Sequence, residues 1–154
     1  MKSSNLKWLL ALVAGIGYWS MRPPIPGQAQ GSDALVMVVN RGNTSAAGMN
    51  LAEARKILLG DMSGWRDGSK VMVVLGPVGS SERGAVLKKV CGMSEAAYTR
   101  YEMQAAFTGQ TAAVVREAAS DAAIKSAVRA NPGAVGFLHK SQIDDSVVVA
   151  MVLD

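Results

Sequence analysis

The chain has 154 residues, 49% of them hydrophobic and 18% charged, which suits one domain with a buried core and excludes a disordered chain. The formal net charge of +4 owes most to Lys2, Lys7 and Arg22. The rest is nearly balanced and carries no basic stripe with interleaved aromatics, so nucleic-acid binding is set aside. One cysteine, Cys91, and one histidine, His139, allow neither an internal disulfide nor a Cys/His metal cluster.

The first segment reads as a targeting sequence. Lys2 and Lys7 make a positive start, and Trp8 to Met21 is an apolar run broken by Gly15, Gly17 and Ser20. That run is short for a membrane span, which needs ~20 apolar residues, and suits a signal-peptide core. Arg22, Pro23, Pro24 and Pro26 then stop a helix. Gly27-Gln28-Ala29 offers small residues for cleavage after Ala29, so residues 1–29 are expected to be a signal peptide; an uncleaved anchor is the alternative. Residues 30–33 read as a linker and 34–154 as the folded domain.

Ala34 to Val39 is a continuous apolar run, the pattern of a strand buried on both faces. Asn50 then reads as an N-cap with Glu53 three residues on, a variant capping box. Leu51, Ala54, Ile57 and Leu58 share one helical face, and Gly60 ends the helix. Asp61 to Ser69 is a polar loop around Trp65, expected to plug the domain edge. Lys70 to Leu75 is a second buried strand, and Gly76-Pro77-Val78-Gly79 a turn. Ser80 or Ser81 caps the next helix, with Glu82 in its first turn and Val86, Leu87, Val90 and Cys91 inward. Ser94 caps a helix to about Phe107, with Tyr98, Tyr101 and Phe107 among its apolar members. Residues 112–119 are ambiguous in pattern. Ser120 caps a helix with Ile124, Ala127 and Val128 inward, which Asn131-Pro132-Gly133 breaks. Ala134 to Leu138 and Ser146 to Val152 are closing strands. This alternation predicts an α/β domain, a mixed and mostly parallel sheet flanked by helices.

Chemistry concentrates in the strand–turn–helix unit from Lys70 to Cys91. The first N–H groups of a helix lack internal partners, and the helix dipole makes that end positive. An oxyanion fits there, with Gly79 permitting the sharp turn and the Ser80 and Ser81 hydroxyls adding donors. Plain helix capping is the competing reading. The segment is neither a nucleotide P-loop nor G-x-G-x-x-G, and the chain has no G-x-S-x-G. Asp144-Asp145 sits in a polar turn and His139 reads as a surface residue. No catalytic residue, metal site or cofactor is therefore expected, and the protein reads as a non-enzyme.

An ordered set of short motifs carries a resemblance. Leu51-Ala-Glu-Ala-Arg-Lys-Ile-Leu-Leu-Gly60, then Trp65, Asp67-Gly68 and the Val71 to Leu75 strand, resembles the phosphate ABC transporter substrate-binding proteins. Phe107-Thr108-Gly109 and Asn131-Pro132-Gly133-Ala134-Val135-Gly136-Phe137 are similar to later segments of that family. The resemblance implies a single lobe of a periplasmic-binding-protein-like fold. It further implies an exported, periplasmic, solute-binding protein holding phosphate or another small oxyanion at Gly79, Ser80 and Ser81, in association with a transporter or another envelope protein. Two departures stand out. The arginine that relatives carry in this turn has its place near Gly76, where the chain has none. Their Ser-Gly-Thr reads Ser80-Ser81-Glu82 here, so Ser80 alone carries over and Glu82 adds a negative charge. The alternative is therefore an envelope interaction module that keeps the fold and has lost ligand binding.

Overall fold

A computed structural model describes residues 33–110 and 112–154. The expected signal peptide and its cleavage site lie outside the described residues. Among those described, no helix is long and apolar enough to cross a membrane.

Five strands form one sheet in the order β3-β2-β4-β1-β5, with β1 at Leu35–Asn40, β2 at Met72–Leu75, β3 at Val115–Glu117, β4 at Ala134–His139 and β5 at Val147–Leu153. β2 pairs in parallel with β3 and β4, and β1 pairs antiparallel with β4 and β5. Four strands thus run one way and β1 alone runs against them. The expected mixed, mostly parallel sheet is present. The ambiguous stretch before Ser120 supplies the short edge strand β3, half exposed and without the apolar alternation that announces a strand.

Helices cover both faces. α1 spans Leu51–Leu59 and has the full capping box: the Asn50 side chain accepts from the Glu53 N–H at 3.0 Å, and Glu53 accepts from the Asn50 N–H at 3.0 Å. α2 spans Ser81–Val86 and continues as a wider π-helical turn over Leu87–Cys91. α3 spans Glu95–Thr108 and α4 spans Asp121–Ala130. Ala54, Ile57, Leu58, Val86, Val90 and Cys91 pack on one sheet face with Met37, Val39, Val73 and Phe137. Ile124 and Val128 of α4 cover the other face, against Val36, Val38, Val74 and Leu138. β1, β2 and β4 are accordingly apolar on both sides, as strands between two helix layers require.

α3 is held by tyrosine hydroxyls rather than by a broad apolar face. Tyr98 donates to the Leu58 carbonyl at 2.7 Å and Tyr101 to the Leu59 carbonyl at 2.8 Å, capping free carbonyls at the end of α1. Phe107 corrects the sequence reading, because it is 88% exposed. At about 100° per residue, nine positions put Phe107 on the side of α3 opposite Tyr98. Trp65 does plug the domain edge: it is buried, and its Nε1–H donates to the Gly133 carbonyl at 3.0 Å.

Candidate functional site

The carboxyl ends of β2, β3 and β4 open onto one cleft. β2 leads through Gly76–Gly79 into α2 on one face, and β3 leads through Ala118-Ala119 into α4 on the other. Helices that leave adjacent parallel strands on opposite faces splay apart, and the crevice between them is where open α/β sheets place ligands. Here it encloses about 280 Å³. Leu75, Val86, Ile124 and Phe137 give it apolar walls, and Ser80, Glu82, Arg83, Ser120, Asp121 and His139 add the polar groups.

Both helix starts are capped by serine. Ser80 is the N-cap of α2, its Oγ accepting from the Arg83 N–H at 3.3 Å, and Ser120 is the N-cap of α4, accepting from Ala123 at 3.2 Å. Gly79 has φ 84°, the left-handed region that a side chain disfavours, so the sharp turn at this position has its backbone reason. The three residues expected to bind a ligand do not share one surface. Ser80 lines the cleft, Ser81 lines a shallower depression beside Lys89, and Gly79 lies exposed on the turn between β2 and α2. Two amides of the segment are also engaged. The Ser80 N–H donates to the Pro77 carbonyl at 3.0 Å, and the Val78 N–H to Glu117 Oε1 at 2.7 Å. Among the described residues, the Ser81 and Glu82 amides make no hydrogen bond and are the donors α2 has free.

Of the charged groups of the cleft, the sequence reading names Glu82 but misses Arg83 and Asp121. An arginine is present after all. Arg83 comes from the first turn of α2 rather than from the turn before it, and folds back so that Nη1 donates to the Gly76 carbonyl at 3.4 Å. Its side chain is 4% exposed. Nε donates to Glu95 Oε1 at 2.8 Å, and Nη1 lies 3.7 Å from Glu117 Oε1. Among the described residues, Nη2 has no partner. A guanidinium is always charged and offers a fixed fork of donors, so burying it with donors unspent suits an oxyanion. No sequence signal pointed to it, since Arg83 reads as one more polar residue near a helix start.

The sequence places His139 at the surface, and its side chain is 32% exposed. It ends β4 at the cleft, half-buried, with Nδ1 2.7 Å from Asp121 Oδ2. The same Oδ2 accepts the His139 backbone N–H at 3.2 Å. This fixes the imidazole against the start of α4. Position at the carboxyl end of a parallel strand is the signal that could have flagged it. Asp144 and Asp145 lie at a separate site near α4, where Lys125 Nζ meets Asp144 Oδ2 at 2.5 Å and Ser146 also bonds Asp144. These contacts hold the Asp144 carboxyl below the usual range, with the Lys125 bond the largest cause. Among the described residues no three His, Cys, Asp or Glu side chains group to hold a metal ion.

The same architecture occurs in solved proteins. An ABC-type phosphate transport receptor from Vibrio cholerae superposes with a TM-score of 0.58 at 23% identity, over 76% of this chain and 45% of that one. A protein from Clostridium perfringens, described as a phosphate ABC transporter substrate-binding protein with bound phosphate, gives 0.60 at 21% identity, over 76% and 44%. PstS from Borrelia burgdorferi gives 0.56 at 14% identity, over 76% and 46%. This chain has the fold of phosphate-type substrate-binding proteins. It spans less than half the length of each of these three. The sequence matches no protein-family model and no curated protein.

Proposed function

We propose that this chain is an exported, periplasmic solute-binding protein that takes phosphate or another small oxyanion in the cleft, in association with transport. Gly79 shapes the turn, Ser80 lines the cleft, and Ser81 opens α2 and presents its amide at the helix start. The observation that carries the reading is Arg83: a buried guanidinium with a free Nη2 where two capped helix starts flank one cleft. Helix starts favour negative charge by the dipole, and an arginine fork adds charge-assisted hydrogen bonds. The fold shared with phosphate receptors supports the same class of role.

The cleft is open on one side and encloses a ligand incompletely, so affinity is modest unless a second body closes it. Calorimetric titration of the purified protein with phosphate and with sulfate tests the reading. Saturable heat that disappears in Arg83→Met supports it, and no heat at millimolar phosphate or sulfate removes both ions as the ligand. Sequencing the amino terminus of the exported protein tests cleavage after Ala29.

One observation favours a second reading, an envelope interaction module without a ligand. Glu95 and Glu117 already neutralise Arg83, while Glu82 and Asp121 add carboxylates to the same cleft. Absent anion binding, together with a specific partner recovered from envelope extract, is the result that establishes it.

A further inference from the structure

The composition of the cleft is more specific than an oxyanion requires. Its volume, about 280 Å³, is several times that of a tetrahedral oxyanion, and Leu75, Val86, Ile124 and Phe137 give it walls that offer such an ion nothing. Its charges are of both signs. Arg83 presents Nη2 without a partner, whereas Asp121 spends Oδ2 on His139 and makes no bond through Oδ1 among the described residues. Glu82 adds a second carboxylate, also without a side-chain partner among them. A bare dianion bound at Arg83 leaves these carboxylates unanswered and is repelled by them. A ligand bearing a cation beside its oxyanion satisfies both.

We propose that the cleft takes a zwitterion, an α-amino acid with an apolar side chain. Its carboxylate is the oxyanion that Arg83 and the start of α4 receive. Its ammonium group donates to Asp121 Oδ1 and faces Glu82, and its side chain covers the apolar wall at Ile124 and Phe137. This inference rests on the solute-binding reading above and narrows its ligand class.

Calorimetry on the full chain tests it with L-leucine, isocaproate (no ammonium), leucinamide (no free carboxylate) and inorganic phosphate. Leucine is expected to bind, and each truncated analogue to bind about tenfold or more weakly, the worth of one charge-assisted contact. Asp121→Asn is expected to weaken leucine by about the same factor while sparing isocaproate, and Glu82→Gln, on an exposed residue, repeats the comparison without risk to the fold. Circular dichroism checks that both variants fold. Phosphate binding without leucine binding overturns the zwitterion and leaves the solute-binding reading standing. Leucine and isocaproate binding equally also overturns it, because the ammonium then contributes nothing. Heat from none of the four overturns both readings.

Discussion

Among the glycines of the described residues, Gly133 is the one where an added Cβ meets the closest overlap. A Cβ built on Gly133 falls 2.0 Å from the Lys70 carbonyl oxygen and 3.0 Å from its carbon. Both are backbone atoms, so no rotamer change relieves the overlap, and the strand entering β2 has to move. That movement strains two bonds to the Gly133 carbonyl, from the Met72 N–H at 3.1 Å and from Trp65 Nε1–H at 3.0 Å. Overpacking of a tight site costs about 1–3 kcal/mol and each lost hydrogen bond about 1 kcal/mol, giving roughly 3–5 kcal/mol. Against a domain stability of about 5–15 kcal/mol this is a large fraction. Urea unfolding followed by tryptophan fluorescence is the assay. With a slope of about 1–3 kcal/mol/M, the midpoint falls by more than about 1 M. Gly48→Ala isolates the backbone contribution, because Gly48 has φ 74° with open space around it; it is expected to cost about 1–2 kcal/mol. A loss below about 1 kcal/mol for Gly133→Ala, or one no larger than that of Gly48→Ala, refutes the steric argument.

Two further outcomes follow from local chemistry. Burial pushes the Cys91 thiol from 9.0 up to about 11, and burial likewise raises the Tyr98 hydroxyl. The folded protein then holds protons that the unfolded chain has released, so stability falls as pH rises. For Cys91 the loss is at most about 1.4 kcal/mol per pH unit between about pH 9 and 11. Urea midpoints below and within that window measure it, Cys91→Ser should flatten the response, and the native thiol should resist alkylation at neutral pH. At the start of α1, Asn50→Ala removes one side of the capping box and is expected to cost about 1 kcal/mol in thermal unfolding, whereas Asn50→Asp costs little.

What the sequence makes legible is what local chemistry alone decides. Asn50, Ser80, Ser94 and Ser120 each cap a helix because their oxygens reach the third amide on, a contact within four residues. Buried strands announce themselves by unbroken apolar runs, as from Leu35 to Val39 in β1. β3 is not legible, because Val115-Arg116-Glu117 gains its pairing from Val73 to Leu75, some forty residues earlier. Phe107 misleads because it is apolar but out of phase with Tyr98 on α3.

The site follows the same division. Gly79 and a serine cap, left open between Ser80 and Ser81, were readable, since turn and cap are local. Arg83, Asp121 and His139 belong to three different elements, α2, α4 and the end of β4, and meet only because those elements converge at one edge of the sheet. Arg83 illustrates why motif matching missed its role. A motif fixes where a residue sits on the chain, whereas a guanidinium at the end of a long side chain can reach back across a turn. Departing from α2, its Nη1 bonds the Gly76 carbonyl, close to where the resemblance expected an arginine. Glu95, twelve residues later on α3, holds it there by a bond to Nε. That restraint acts apart from the charge it cancels. It immobilises a flexible cation before any ligand arrives, so less side-chain entropy is lost when Nη2 makes its contact. A carboxylate that neutralises Arg83 is thus compatible with the proposed binding, and the proposed choice of ligand falls to the carboxylates that line the cleft, Asp121 and Glu82.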